Sequence, residues 1–273
     1  MTIKANCKIN IGLDVVERRA DGYHELSTVM FPVVGLYDIL EIEPIDSTET
    51  QFCGKGLIVD CATEDNLCVK AYNLLKSRYA EIKAVKITLD KRVPFGAGLG
   101  GGSSDATAVL LALNSIFGLK LSEDTLISLA AKLGSDTPFF VRNTPQLCTG
   151  RGEIMQQIEV DLGGKYLVLI KPDISVSTRE AYAGVKPDYP TTPLSELIKQ
   201  PLTEWQSKIK NDFEPHIFGA YPLLAQIKEK LLSAGALYAA MSGSGSTIYG
   251  IFDSEQKAKS EQLESYSPYI YEL

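Results

Sequence analysis

Hydrophobic and polar positions alternate strictly over residues 2–11. Ile3, Ala5, Cys7, Ile9 and Ile11 share one face, and Thr2, Lys4, Asn6, Lys8 and Asn10 share the other. A period of two marks a strand with one buried face. The polar face reads either as solvent-exposed or as the lining of a cleft, and the pattern alone favours the first. Lys8 and Asn10 point the same way about 7 Å apart, near enough to touch one ligand. Residues 14–28 read as strand, loop, strand. Asp21-Gly22 supplies the turn signal, and Arg18, Arg19, Tyr23 and His24 crowd the loop. Residues 33–43 form a further strand. Residues 66–79 read as a helix with Leu67, Ala71, Leu74 and Leu75 at core spacing and Asp65 or Asn66 at its cap.

The second half of the pattern begins with a strand at 85–93. A glycine-rich loop follows, and then a helix over 103–117 with a small-residue face (Ala106, Ala108, Ala112) that Gly118 stops. Ser122 caps a helix at 123–133, which Gly134 ends. Asp136 then stands between that helix and an expected strand. Gly150-Arg151-Gly152-Glu153 is a glycine-flanked turn carrying a cation. A change of unit is expected at 155–165, around Asp161-Leu162-Gly163-Gly164, dividing the chain into 1–158 and 159–273. Beyond it come a buried-type strand at 166–170 and a capping box, Ser177-x-x-Glu180, opening a helix that holds Tyr182. A proline-rich loop at 186–193 precedes a mostly helical stretch at 194–232. Strands at 236–241 and 247–252 flank Ser242-Gly243-Ser244-Gly245-Ser246, and a last helix spans 254–264.

Composition narrows the function classes. The 273 residues are 45% hydrophobic and 22% charged, the balance of a globular protein. A net charge of −7 argues against a nucleic-acid surface, which needs a basic face. The five cysteines are scattered without a C-x-x-C pair, so neither a zinc site nor a disulfide framework is expected, and a reduced cytoplasm fits. No signal peptide and no membrane span are expected.

The densest chemistry lies in Pro94-Phe95-Gly96-Ala97-Gly98-Leu99-Gly100-Gly101-Gly102-Ser103-Ser104-Asp105, with five glycines in seven residues. Strand, glycine loop and helix N-terminus in that order build an anion site, because glycines let backbone approach a phosphate and first-turn amides are unpaired. Gly96, Gly98 and Gly101 also satisfy G-x-G-x-x-G, but no second strand with an acidic end follows, which argues against a dinucleotide fold. No lysine follows the last glycine, which excludes a Walker loop, and no H-R-D or D-F-G occurs.

This loop resembles the central phosphate loop of the GHMP kinases. Lys8-Ile9-Asn10 resembles the N-terminal motif of that superfamily, and Met241-Ser242-Gly243-Ser244-Gly245-Ser246 resembles its C-terminal glycine motif. Within it, Arg19-Ala20-Asp21-Gly22-Tyr23-His24-Glu25-Leu26 and Gly134-Ser135-Asp136-Thr137-Pro138-Phe139-Phe140 are similar to the branch acting on a methylerythritol that carries a cytidine diphosphate. Ser135 and Thr137 stand where that branch commonly has Ala and Val, and Ser177 replaces a frequent proline.

The resemblance implies an α+β, two-domain fold. The N-terminal domain would be of the ribosomal-S5 domain-2 type and the C-terminal domain a ferredoxin-like sandwich, with a cleft between them. It implies transfer of the ATP γ-phosphoryl group to the 2-hydroxyl of the polyol with Mg²⁺ present, a step of non-mevalonate isoprenoid synthesis. It implies that Asp136 is the base with Lys8 beside it, and that residues 94–104 hold the triphosphate, with hydroxyls from Ser103 and Ser104. It also implies that cytosine stacks between Tyr23 and Tyr182, that His24 hydrogen-bonds the base, and that Asn10 sits by the methylerythritol end. The metal ligands are not identified. The partner is a small molecule rather than nucleic acid or membrane, and the chain is a monomer or homodimer. Alternatives are a GHMP kinase for a homoserine- or mevalonate-type alcohol, a non-catalytic binding protein of this fold and, more distantly, a Rossmann oxidoreductase.

Overall fold

The computed structural model describes residues 1–59 and 61–273. The alternating N-terminus extends into a long strand, β1 (Thr2–Arg18). A turn closed by the amide of Arg19 donating to the Tyr23 carbonyl at 2.8 Å leads into a longer one, β2 (His24–Pro44). β2 runs without a break through the residues read as two strands. β3 (Gln51–Gly56), α1 (Leu67–Lys76), β4 (Val85–Lys91), α2 (Gly101–Ile116), α3 (Glu123–Ala130) and α4 (Phe139–Arg142) follow, then β5 (Gln146–Gly150), β6 (Ile154–Gln157) and β7 (Tyr166–Ile170). The remainder comprises α5 (Thr178–Ala183), α6 (Leu194–Leu197), α7 (Leu202–Lys208), α8 (Glu214–Ala220), α9 (Pro222–Ser233), β8 (Tyr238–Met241), β9 (Ile248–Phe252), α10 (Glu255–Ala258), α11 (Glu261–Glu264) and β10 (Tyr269–Glu272).

Local chemistry explains the helix starts. The Asn66 side chain accepts from the Cys68 amide at 2.9 Å, Ser122 from Thr125 at 3.3 Å and Ser177 from Glu180 at 3.1 Å. The Ser177 box is only half formed, because the Glu180 carboxylate turns away to the Tyr221 hydroxyl at 2.8 Å.

Four expectations are corrected. The polar face of β1 is buried from Asn6 to Asn10, not solvated. The segment after Asp136 is helix α4, not a strand: Pro138 has φ −59°, suited to a helix start, and Phe139 and Phe140 are buried there. The last helix is broken into α10 and α11 at Ser260, whose ψ of 132° is extended. The pattern also missed β3, β5, β6 and β10, since β3, β6 and β10 are short and without a buried face.

The chain forms two compact units. The first comprises 1–8, 32–95 and 100–144. Within it β4 pairs antiparallel with β2, Leu89 opposite Leu40 and Ile87 opposite Ile42, and parallel with β3. Its core joins these residues to Ala71 and Leu75 of α1 and to Ala106, Val109, Leu110 and Leu113 of α2. The small-residue face of α2 allows that close approach. The second unit comprises 9–31, 96–99 and 145–273. In it the start of β2 pairs with β5, and β5 with β6. A separate antiparallel sheet has the order β10-β7-β9-β8, with α9 on β8 and β9. Its core holds Val168, Ile170, Ile227, Leu231, Ile248 and Phe252.

Candidate active site

The first unit contains Lys8 and Asp136. Lys8 points from β1 with its side chain 3% exposed, and its Nζ lies 3.2 Å from Asp136 Oδ2, itself 34% exposed. Asp136 sits in the turn between α3 and α4. Thr107 of α2 donates its hydroxyl to the Thr137 carbonyl at 2.8 Å and so ties that turn to the helix. Beyond the turn, the amides of Asn6 and Asn143 exchange hydrogen bonds at 3.1 and 2.7 Å. The buried polar face of β1 is thus a row of paired groups, as buried polar atoms require.

The helix end of the glycine loop lies beside this pair. Gly100 has φ 68°, and a Cβ there would come within 3.1 Å of the Lys8 stem and of the Phe140 ring. Gly101 opens α2 two residues before the pattern placed it. The first-turn amides of Gly101, Gly102 and Ser103 have no acceptor within the helix and carry the positive end of its dipole. A cavity of about 220 Å³ adjoins Gly102 and is walled by Asn66, Leu67, Leu89 and Phe95, with Phe95 65% exposed. Asp38, Lys91 and Asp105 form a buried charged cluster under the same helix turn. Period two along β4 puts Lys91 on the apolar face with Val85, Ile87 and Leu89. A lysine in a core register was the overlooked sequence signal.

The second unit holds the middle of the loop. Gly98 has φ 74°, and a Cβ on it would fall 2.0 Å from the Ser242 carbonyl oxygen. The Ser242 hydroxyl donates to the Gly98 carbonyl at 2.9 Å and accepts from the Asn10 amide at 3.2 Å. Asn211 donates to the Met241 and Gly243 carbonyls, both at 2.8 Å. Ser242 therefore joins three motifs that are far apart in sequence. Asn211 lies in no recognisable pattern and carries no signal of its role. Asn10 also donates its side-chain amide to Thr28 at 3.0 Å.

The aromatic residues expected at the base also lie in this unit. His24 stacks on Tyr182, centroids 4.7 Å apart and planes at 18°, so one face of Tyr182 carries an imidazole. Phe213 meets Tyr182 edge-on at 4.9 Å. Tyr23 is 54% exposed, and the Arg151 guanidinium lies 4.8 Å over its ring. Arg151 is presented by a turn that the Glu25 carboxylate accepts from at the Gly150 amide, 2.8 Å. Partial burial, and secondarily the charge of Arg18, lower the pKa of His24, favouring the neutral ring that can both donate and accept.

The GHMP kinases N terminal domain family matches residues 66–143, and the GHMP kinases C terminal family matches residues 194–265. The chain is 46% identical over 258 residues to a 4-diphosphocytidyl-2-C-methyl-D-erythritol kinase of Parabacteroides distasonis, covering 94% of each chain. Its structure resembles that of a solved 4-(cytidine 5'-diphospho)-2C-methyl-D-erythritol kinase with a TM-score of 0.84 and 31% identity, over 99% of this chain and 97% of the other. The mevalonate kinase of Methanococcus jannaschii shares the fold alone, with a TM-score of 0.71 at 15% identity, over 99% of this chain and 96% of the other. With a glycine loop at a helix N-terminus, a paired lysine and aspartate, and this extent of similarity, the chain belongs to the GHMP kinase family, in the branch of the 4-diphosphocytidyl-2-C-methyl-D-erythritol kinases.

Proposed function

We propose that the chain transfers the γ-phosphoryl group of ATP to the 2-hydroxyl of 4-diphosphocytidyl-2-C-methyl-D-erythritol, a step toward isoprenoid precursors. The observation that carries the chemistry is the Lys8–Asp136 pair, 3.2 Å apart beside Gly100 at the α2 N-terminus. Phosphoryl transfer needs positioning and charge stabilisation more than covalent chemistry. Asp136, a third exposed, takes the proton of the acceptor hydroxyl. Lys8 orients that carboxylate and faces the γ-phosphate with its charge. The loop amides from Gly100 to Ser103 hold the triphosphate against the helix dipole, since the Ser104 amide is engaged by the Gly100 carbonyl at 2.9 Å. The apolar cavity beside Gly102 has the walls to take the adenine.

Mg²⁺ enters as part of the substrate, MgATP. Among the described residues no group of three His, Cys, Asp or Glu side chains is placed to hold a metal. The ion would neutralise charge on the triphosphate oxygens.

For the acceptor, Tyr23 offers the cytosine one ring face while Arg151, paired with Glu153 at 3.5 Å, covers the other, and the guanidinium would exchange that partner for the diphosphate. His24, neutral and seated on Tyr182, hydrogen-bonds the base. Tyr182 thus supports His24 rather than closing the far side of a sandwich. Asn10 lies by the polyol. The two family matches leave the proposed junction at 158/159 between them. Among the described residues no helix is long and apolar enough to cross a membrane, and cysteines that form no disulfide among the described residues suit a reducing cytoplasm. The test is ADP release with the cytidine-linked polyol against mevalonate and homoserine. Turnover with either of the latter, and none with the polyol, overturns the substrate assignment.

A further inference from the structure

Beneath the first turn of α2 lies a charged cluster to which the reaction described above gives no role, although two of its members, Lys91 and Asp105, also line the cavity assigned to the adenine. Lys91 ends β4, is 3% exposed, and sets its ammonium 2.5 Å from Asp38 Oδ2 and 2.7 Å from Asp105 Oδ2. Asp38, on β2, accepts with its other oxygen from the amides of Arg92 at 2.6 Å and Val93 at 2.8 Å. Asp105 is not satisfied in this way: its Oδ1 is buried and has no hydrogen-bond partner. The ammonium also abuts the helix start, since a Cβ on Gly101 would lie 3.0 Å from Lys91 Nζ. The cluster therefore grips the glycine loop where it leaves β4 and again where it enters α2.

Two carboxylates here share one ammonium away from water. With both ionised the cluster carries a net negative charge, and one proton makes it neutral. Two backbone donors favour the ionised form of Asp38, whereas nothing donates to Asp105 Oδ1, so the proton belongs on Asp105. Its pKa is accordingly pushed up to about 8, first by burial and then by the Asp38 charge, against the opposing pull of Lys91. Among the described residues, the other titratable groups around the cluster are Cys68 on α1 and Cys7 on β1, whose thiol pKa values burial raises, and Cys61 and Asp65, which line the same cavity as Lys91 and Asp105.

We propose that Asp105 is a positioning residue for the nucleotide: through Lys91 it fixes both ends of the glycine loop, and its proton keeps net negative charge from building beneath the turn that receives the triphosphate. The proposal rests on the reading of the chain as an ATP-dependent kinase. Ionisation of Asp105 and binding of the polyphosphate oppose each other, and linkage makes the opposition reciprocal.

The test uses the full chain with saturating acceptor and Mg²⁺, and measures the KM for ATP from pH 7.5 to 9.5 in the wild type and in Asp105→Asn. ATP itself is fully ionised across that range. The wild-type KM for ATP should rise about fivefold or more, the lower end of ordinary coupling between sites. The acceptor KM should not follow it, and the Asp105→Asn profile should be flat. Superimposable profiles for the two proteins overturn the proposal, whereas a merely structural role would lower stability without flattening the profile. A second measurement needs no variant. The carboxyl ¹³C resonance of Asp105 is titrated in the wild type with and without a non-hydrolysable ATP analogue. A midpoint that moves upward with nucleotide supports the proposal, and one that stays or falls overturns it. Absence of any ADP release would overturn the kinase reading and this proposal together, while normal turnover with parallel profiles would overturn the proposal alone.

Discussion

Gly98→Ala isolates what the loop requires of its glycines. The new methyl would sit 2.0 Å from the Ser242 carbonyl oxygen and 3.2 Å from that of Gly245, at a φ of 74°. Left-handed backbone alone costs a non-glycine residue about 1–2 kcal/mol. The overlap cannot be relieved by a side-chain rotation, because both atoms are backbone, and Asn211 holds the chain on either side of Ser242 at the Met241 and Gly243 carbonyls. Overpacking of this kind adds about 1–3 kcal/mol. The loop must therefore move by more than an ångström or lose its bond to Ser242, and a shift of that size costs about a hundredfold in rate. Gly118→Ala is the control. Gly118 also has a left-handed φ, 60°, but a Cβ there meets nothing within 4 Å. Calorimetry should show Gly118→Ala losing only the strain, about 1–2 kcal/mol, with kinetics unchanged. Gly98→Ala should lose about 2–5 kcal/mol and drop kcat/KM for ATP by about a hundredfold. Equal stability losses in the two variants, with the Gly98→Ala KM for ATP within twofold of wild type, would refute the view that this contact places the loop.

Three further outcomes are expected. Asp136→Asn should lower kcat by about 10²–10⁴, the span of a general base, with circular dichroism unchanged, and a near-normal kcat would remove Asp136 from the chemistry. Tyr23→Ala should raise the KM for the cytidine substrate by about 5–150-fold, the equivalent of about 1–3 kcal/mol of base stacking, and leave the KM for ATP alone; equal effects on both would count against stacking there. Asp14 is raised from 3.8 to about 6 in the folded chain, by burial first and by Asp212 second. The folded state then binds more protons than the unfolded state between those values, so the destabilisation by Asp14 grows as pH rises through that window and is complete above it. Asp14→Asn should accordingly raise the melting temperature at pH 7.5 and lose that advantage by pH 4, whereas a pH-independent difference would contradict the assignment.

Much of the architecture follows from the order of residues. Alternation in β1 and the caps at Asn66, Ser122 and Ser177 are local, since they depend on neighbours within a few positions. The features that make residues 94–104 a candidate anion site are local too, because unpaired first-turn amides and glycine freedom come with the strand–loop–helix order. The short strands β3, β6 and β10 were not legible, since their pairing partners, not their own composition, make them strands. Phe139-Phe140-Val141 has strand-like residues yet folds as α4, where burial of the two rings overrides propensity.

What the sequence determined by itself was the set of reactive groups: a glycine loop without a lysine, Lys8, Asp136, and an Asp-Gly-Tyr-His turn. Tertiary structure alone decided which of them meet. Lys8 and Asp136 are 128 positions apart, and their 3.2 Å contact depends on Thr107 and Asn143 holding the intervening turn. The polar face of β1 looked solvated because alternation reports only that two faces differ. It cannot say that the polar one will be covered by partners from distant segments. The same limit hid Asp38, Lys91 and Asp105. Each is an ordinary charge along the chain, and only folding removes water from all three and makes the proton on one of them matter.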